Sequence, residues 1–200
     1  MCFLATASGD SPSVLVSLYE AAALRGYQAS HLSAFSMPNL PDPAAHLLAS
    51  DVVWVMGGSV AGLLAMWRLH GYDQALRAAW EAGVVLTGVS AGSICWHVGG
   101  TTDSYGPQLR AVTDGLALLP YANGVHYDAE EQRRPLFQSL VGTGTLPEGY
   151  ATDDGVGLLY RGTELVEVLS EEDGKAAYHV VADGNGGAVE TRLEPRRLPA

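Results

Sequence analysis

The chain of 200 residues carries a net charge of −11, with 48% hydrophobic and 16% charged residues. This composition fits one globular domain, residues 1–200, and leaves little room for a second. Because no segment is rich in Lys or Arg, the sequence argues against a nucleic-acid partner and against binding to an anionic membrane.

The cysteines and the hydropathy of the sequence further limit the kind of protein this can be. Cys2 and Cys95 are far apart in the sequence and adjoin apolar residues, which indicates neither a disulfide framework nor a metal-binding pair. No basic segment precedes an apolar leader, and no apolar run approaches the ~20 residues that span a bilayer. We therefore expect a cytoplasmic protein.

Strands and helices alternate through the first half of the chain. The predicted elements are a strand at residues 2–7, a helix from Pro12 to about Arg25, a strand at 27–33, a short helix, a strand at 51–56, helices near 60–69 and 73–82, and a strand running into Ser90. Such alternation favours a parallel sheet with helices on both faces.

The strand that ends before Ser90 leads into a Gly-x-Ser-x-Gly segment, residues 88–92. The residues after it, 93–97, can continue as a helix, so Ser90 is predicted on a sharp strand-to-helix turn, the arrangement of a nucleophilic serine. The N–H of Ala91, at the start of that helix, is the natural donor to an oxyanion.

A second loop follows the preceding strand at Gly57, Gly58 and Ser59. Because ligands bind at the carboxyl ends of strands in open α/β sheets, we expect this loop to face the Ser90 turn. The N–H groups of Gly58 and Ala91 could then converge on one oxygen.

The second half of the chain offers a base for the serine. A buried run at 116–120 is predicted as a strand, His126 follows it in a loop, and a helix is expected from Ala129 to about Val141. His126 is therefore the expected general base. His31, His46, His70 and His179 lie in contexts typical of surface or packing residues, and His97 lies too near Ser90 on the same predicted helix for its ring to reach back across the elbow.

Beyond Pro147 the pattern changes to alternating runs at 157–160, 165–169 and 177–181. These predict antiparallel edge strands or hairpins added to the main sheet.

In their order along the chain, the segments 57–59, 88–93, 101–104, 115–120 and 125–127 resemble the peptidase E family of α-aspartyl dipeptidases, to which cyanophycinase is related. The resemblance covers nearly the whole chain. It implies a three-layer α/β sandwich related to class I glutamine amidotransferases. It also implies that Ser90 is the nucleophile and His126 the base, with an acidic residue completing the triad.

The resemblance identifies Asp103 as the favoured acid, since a carboxylate must orient the imidazole. Asp114, Asp128 and Asp154 are alternatives. Compared with long family members, the chain resembles a short form without the Gly-rich N-terminal strand; an exposed sheet edge would favour a homodimer or higher homo-oligomer. Ser59 stands where the family has asparagine, so a substrate-binding role of that side chain passes to Ser59 or is lost.

Recognition of an N-terminal aspartate calls for a cation, most naturally arginine. Arg133 and Arg134 on the predicted helix after His126 are candidates, as is Arg110, although Arg133 and Arg134 could instead pair with Glu130 or Glu131. The predicted function is a serine dipeptidase acting on small Asp-X peptides through an acyl-enzyme, with no metal or organic cofactor. The alternatives are a cyanophycinase-type exopeptidase or esterase, and a non-catalytic amidotransferase-like binding protein.

Overall fold

The computed structural model describes residues 1–199. The chain divides into two compact units, one of residues Met1–Ser93 and one that begins at Ile94. The assignment of residues 1–200 to a single domain stays a prediction.

The first unit is built on a four-stranded sheet in the order β2-β1-β3-β4, in which every neighbouring pair is parallel. Helices connect the strands, as the alternation predicted. The elements are β1 (Cys2–Leu4), α1 (Pro12–Leu24), β2 (Ser30–His31), α2 (Pro43–Leu48), β3 (Val52–Val55), α3 (Val60–His70), α4 (Tyr72–Glu81), β4 (Val85–Gly88) and α5 (Ala91–Ile94).

Two predicted strands of this unit are shorter than expected. The strand predicted at 2–7 ends at Leu4, because the amides of Ser8 and Asp10 both donate to the carbonyl of Ala5 and wind residues 6–8 into a 3₁₀ turn. The strand predicted at 27–33 is reduced to β2, and beyond it the amides of Ala34 and Phe35 donate to the Asp10 carboxylate instead of a neighbouring strand.

The core of the first unit lies between β1, β3 and the helices. Its fully buried large side chains include Leu4, Val53, Val55, Leu63, Leu64, Trp67, Tyr72 and Leu76. This packing fixes the end of β3, and therefore the loop at residues 57–59 that follows it.

The second unit contains a six-stranded sheet, in the order β12-β11-β8-β7-β5-β6, and a three-stranded sheet, in the order β13-β10-β9. Its elements are β5 (Gly99–Thr102), β6 (Arg110–Val112), β7 (Ala122–Gly124), α6 (Arg133–Gly142), β8 (Gly149–Thr152), β9 (Val156–Arg161), β10 (Glu164–Ser170), β11 (Ala177–Ala182), β12 (Ala188–Leu193) and β13 (Arg196–Arg197). The pairs β5–β7 and β7–β8 are parallel, whereas β6, β11 and β12 add antiparallel edges.

Three expectations for this region are wrong in detail. Residues 116–120 form no strand, because the amides of Leu116, Ala117 and Leu119 donate to the carbonyls of residues 95–97 and Ala117 has a φ of 49°. The helix after Ser90 stops at Ile94 rather than at residue 97, and the His97 amide donates to the Ile94 carbonyl three residues back, in a turn that does not continue the helix. Residues 129–132 form turns, and α6 begins only at Arg133.

The α/β class, the mostly parallel pairing of the central strands and the antiparallel strands late in the chain are confirmed. The alternating runs near 157–160 and 165–169 become β9 and β10, which pair with each other as a hairpin. The expectation that they add to the main sheet is wrong, because they form a separate three-stranded sheet with β13. The run at 177–181 becomes β11 at the antiparallel side of the six-stranded sheet.

Candidate active site

Ser90 lies on a tight turn directly after β4 and before α5. Its φ is 55°, in the left-handed region that non-glycine residues rarely adopt. The turn is closed by two hydrogen bonds, from the Gly92 amide to the Val89 carbonyl and from the Ser93 amide to the Ser90 carbonyl, each 2.9 Å long. This is the strand-to-helix elbow predicted from the sequence.

Glycine is required on both sides of Ser90 because the backbone is crowded there. A Cβ on Gly88 would lie 2.3 Å from the carbonyl oxygen of Gly92, and a Cβ on Gly92 would lie 2.2 Å from the carbonyl oxygen of Val55. Real Cβ atoms do not approach oxygen so closely. The elbow is therefore pressed against the end of β3.

The loop of Gly57, Gly58 and Ser59 lies against this elbow, as expected. A Cβ on Gly57 would be 3.1 Å from the Cβ and 3.7 Å from the Oγ of Ser90. Gly58 has a φ of 135° and approaches the Ala7 carbonyl too closely for any side chain. The Ser59 amide donates to that carbonyl, whereas the Gly58 amide donates to no backbone carbonyl within residues 1–199.

Ser59 and Ala91 lie at the starts of two helices, α3 and α5. The Ser59 hydroxyl accepts a hydrogen bond from the Gly62 amide and caps α3. Ala91 is the first residue of α5, so its N–H has no acceptor within the helix. The geometry of the first unit is thus compatible with Gly58 and Ala91 as oxyanion donors.

In the second unit, His126 forms a short hydrogen bond with Asp154. Its Nδ1 lies 2.7 Å from the Asp154 Oδ1. The two residues follow the carboxyl ends of the neighbouring parallel strands β7 and β8, and His126 has a φ of 53°. The His126 side chain is 28% exposed and that of Asp154 50%, so the pair is accessible to a substrate.

Among the acidic residues considered from the sequence, Asp154 rather than the favoured Asp103 is therefore the one hydrogen-bonded to His126 Nδ1, and the identity of the triad acid stays a prediction. Asp103 follows the end of β5 and lines an open depression together with Glu130 and Glu131. Asp128 accepts a hydrogen bond from the Asp154 amide, at 2.9 Å, rather than one from the imidazole.

The two arginines expected to read the substrate are engaged in ion pairs. Arg133 is buried, with its Nε 2.8 Å from the Glu130 carboxylate and its Nη1 donating to the Thr101 carbonyl. This pairing lowers the pKa of Glu130 below its ordinary value, chiefly through the hydrogen bond from Arg133. Arg133 thus forms the ion pair with Glu130 that the sequence allowed.

Arg134 is held by a different partner from the one expected. It donates to Glu190 on β12, and its guanidinium lies over the rings of Tyr127 and Tyr178, 5.2 and 4.6 Å from their centroids. Glu190 also accepts from the hydroxyl of Tyr127. Both arginines thus bind α6 to neighbouring parts of the second unit.

One residue that sequence reasoning missed lies close to the His126–Asp154 pair. Lys175 donates a 2.5 Å hydrogen bond to Asp128, which in turn holds the Asp154 amide. The sequence does distinguish this residue, because Lys175 is its only lysine. Its sequence position, 47 residues beyond Asp128, gave no indication of the contact.

Three of the remaining histidines have packing or surface contacts of the kind expected. His31 is hydrogen-bonded to Tyr19, and His46 is hydrogen-bonded to Ser30. His179 stacks on Tyr150 and is hydrogen-bonded to Glu148. His97 is buried beside the ring of Tyr160.

Within residues 1–199 there is no group of three or more His, Cys, Asp or Glu side chains arranged to hold a metal ion. In the same part of the chain, none of the helices combines the length and apolar character needed to cross a lipid bilayer. The expectations about compartment, cofactors and assembly stay predictions.

The chain is similar to several known proteins. A Bacillus subtilis (strain 168) protein named uncharacterized peptidase YgaJ is 40% identical over 181 residues, which cover 90% of this chain and 77% of that protein. A structure of a peptidase from an acI-B1 Actinobacterium matches with a TM-score of 0.67 and 16% identity, covering 98% of this chain and 80% of that one.

A third similarity is to a Listeria monocytogenes EGD-e protein described as a candidate peptidase E, with a TM-score of 0.59 and 17% identity, covering 96% of this chain and 85% of that one. At such identities the two structural matches establish the fold alone, which is that of peptidase E. Residues 1–168 match the family described as peptidase family S51. The chain therefore belongs to peptidase family S51 and is a peptidase.

Proposed function

We propose that this peptidase is of the serine type, with Ser90 as the nucleophile, His126 as its general base and Asp154 as the acid that orients the imidazole. The observation that carries the proposal is the pair of accessible groups at strand ends: a serine on a glycine-flanked elbow with a φ of 55° and a histidine held by a carboxylate at 2.7 Å. Strained backbone of this kind clusters at functional sites.

The chemistry follows from these roles. Because Asp154 binds Nδ1 of His126, proton transfer falls to Nε2. The Ser90 oxygen attacks the scissile carbonyl as Nε2 accepts its proton, and Nε2 then gives that proton to the leaving amine. The N–H groups of Gly58 and Ala91 stabilise the oxyanion, and water hydrolyses the resulting acyl-enzyme.

We further propose short peptides with N-terminal aspartate as the substrates. This rests on the resemblance to peptidase E and on the fold shared with the Listeria protein described as a candidate peptidase E. Ser59, whose hydroxyl accepts from Gly62, retains a proton that it can donate to such a substrate.

A panel of substrates tests the activity. Asp-Leu is expected to be cleaved faster than Asn-Leu or Ala-Leu, and Ser90→Ala should abolish hydrolysis because it removes the oxygen that is proposed to form the acyl-enzyme. Ser139→Ala, which alters an exposed serine of α6, is the control and should retain full activity.

Two further substrates in the panel test for the alternative hydrolase activities. Preference for β-Asp-Arg would indicate a cyanophycinase-type exopeptidase, and cleavage of p-nitrophenyl acetate without peptide hydrolysis would indicate an esterase. Turnover by Ser90→Ala above a few per cent of wild type would remove Ser90 from the nucleophile role. Membership of a peptidase family disfavours the non-catalytic binding protein.

Arg110 is the cation we propose to read the aspartate side chain. It is exposed at the start of β6, where it pairs in register with Thr102 at the carboxyl end of β5. That end of the sheet also carries His126 and Asp154 beyond β7 and β8. No ion pair of Arg110 is seen within residues 1–199, in contrast to Arg133 and Arg134.

Replacing Arg110 by Met tests this assignment. The substrate carboxylate would lose its partner, so kcat/KM for Asp-Leu should fall by ~10- to 100-fold, the scale of a lost charged hydrogen bond. Values for Ala-Leu should hardly change. Arg161→Met, at an exposed position on β9, is the control, and equal losses for Asp-Leu and Ala-Leu in Arg110→Met would contradict the assignment.

A further inference from the structure

The segment that carries Asp154 is fastened to the rest of the second unit by a short chain of polar contacts. Asp128 is the centre of this chain. One of its carboxylate oxygens accepts the Asp154 amide at 2.9 Å, and the other accepts the Lys175 ammonium at 2.5 Å. Through Asp154 the chain ends at Nδ1 of His126.

A neighbouring carboxylate holds the other side of the same segment. Asp153 is buried, and its Oδ2 accepts the Ala176 amide at 2.9 Å and the Tyr178 hydroxyl at 3.4 Å. The Asp153 amide also donates to the Ala176 carbonyl. Residues 153–154 are thus tied to residues 175–176 on one side and to Asp128 on the other.

Asp128 and Lys175 are the directly paired charges of this chain, and Glu172 and Asp153 also interact electrostatically with Lys175. Partial burial raises the pKa of Asp128, but the hydrogen bonds from Lys175 and the Asp154 amide outweigh it, and the pKa lies below the ordinary value. The hydrogen bond to Asp128 raises the pKa of Lys175. Asp128 and Lys175 therefore form an ion pair whose two charges offset each other.

Several charged groups of this unit lie in contact with His126 or close to it. Asp154 is the anion in direct contact, Asp128 is neutralised by Lys175, and Glu130, whose pKa His126 helps to lower, is paired with Arg133. The chain has a net charge of −11 and a single lysine. That lysine lies beside the acidic residues next to the proposed base. Without Lys175, two uncompensated carboxylates would lie on this side of the imidazole.

We propose that Asp128, neutralised by Lys175, is the positioning residue that holds Asp154 on His126. The inference rests on the proposed Ser90–His126–Asp154 triad. Asp128 fixes the backbone of Asp154 by accepting its amide, and Lys175 keeps the charge of Asp128 from acting on the imidazole.

The test uses the rate at which a fluorophosphonate probe inactivates the full-length protein, measured across pH, with the modified residue located by mass spectrometry. The rate is expected to fall in acid, because a protonated general base cannot accept the proton of the serine. Lys175→Met leaves the charge of Asp128 uncompensated and favours the imidazolium, so the inflection should move to higher pH by roughly half a unit.

Asp128→Asn should have the opposite effect. It leaves the Lys175 ammonium uncompensated and disfavours the imidazolium, so the inflection should move to lower pH, while the amide oxygen can still accept the Asp154 N–H. Asp128→Ala, which removes that acceptor, should slow inactivation ~10- to 100-fold at every pH. Lys175→Arg, which retains the charge, should restore the wild-type profile.

Arg196→Met is the matched control, since it breaks the exposed ion pair with Glu167 in the three-stranded sheet. It should leave the profile unchanged. Two results would overturn the positioning role. One is an inflection that moves in the same direction in Lys175→Met and Asp128→Asn. The other is an unchanged inflection in both variants, together with an inactivation rate of Asp128→Ala within twofold of wild type. The conservative variants keep the test decisive if Asp128→Ala fails to fold.

The same experiment separates the two proposals. If the wild-type protein is not modified at Ser90, the proposed triad and the positioning role both fail. If it is modified at Ser90 in a manner that His126→Gln suppresses, while the Asp128 and Lys175 variants behave as wild type, only the positioning role fails.

Discussion

Ser90 and His126 both have backbone conformations that cost free energy. A non-glycine residue at a φ near 55° is strained by about 1–2 kcal/mol, and the chain accepts that strain at the two residues proposed to exchange a proton. Asp10 and Ala117 share this conformation, so strain alone does not identify a site. The additional evidence is the chemistry of each residue and its position directly after a strand.

The acid partner gives a prediction at the same scale. Asp154→Asn should lower kcat by up to ~10⁴-fold with little change in KM, because an amide at Nδ1 favours the wrong imidazole tautomer. Asp103→Asn, at a carboxylate with no hydrogen bond to His126 Nδ1, should stay within a few-fold of wild type. The reverse ranking, measured by steady-state hydrolysis of Asp-Leu, would restore Asp103 as the acid.

The sequences of the individual strands explain which parts of the candidate site could be predicted. β4 is a run of β-branched and apolar residues, so the Ser90 elbow after it could be predicted correctly. β8, with the sequence Gly-Tyr-Ala-Thr, and β5, with Gly-Gly-Thr-Thr, lack such runs and were not predicted. Their glycines meet backbone of the neighbouring strand, a tertiary contact that local patterns do not encode.

The absence of a sequence signal for β8 explains why Asp103 rather than Asp154 is favoured from the sequence. Sites in open α/β sheets lie at the carboxyl ends of strands, and Asp154 lies two residues beyond the end of β8. The strand expected at 116–120 failed for a related reason, since apolar residues that pack against residues 95–97 resemble a buried strand in sequence.

The close contact of β3 with the elbow gives a prediction at the scale of elements. Gly88→Ala would push a methyl group against the carbonyls of Gly92 and Val55, so the free energy of unfolding should fall by at least about 2 kcal/mol. Gly157→Ala, in open space on β9, should change it by less than about 0.5 kcal/mol. Equal urea midpoints for the two variants would contradict the crowding.

For the whole molecule, the α/β class and the family were both accessible from the sequence, because alternating elements and the order of several short motifs extend over most of the chain. The division into two compact units was not, since no linker or change in composition marks residue 93. The substrate preference depends on a few side chains, and two of the three arginines considered for it proved to be paired within the second unit.

The central claim is that Ser90 is a nucleophile activated by His126, and one measurement tests it most directly. Intact-mass analysis after fluorophosphonate treatment, followed by peptide mapping, should find one adduct per chain on Ser90, with the reaction suppressed in His126→Gln. An adduct on another residue, or equal labelling of the wild type and His126→Gln, would contradict the account.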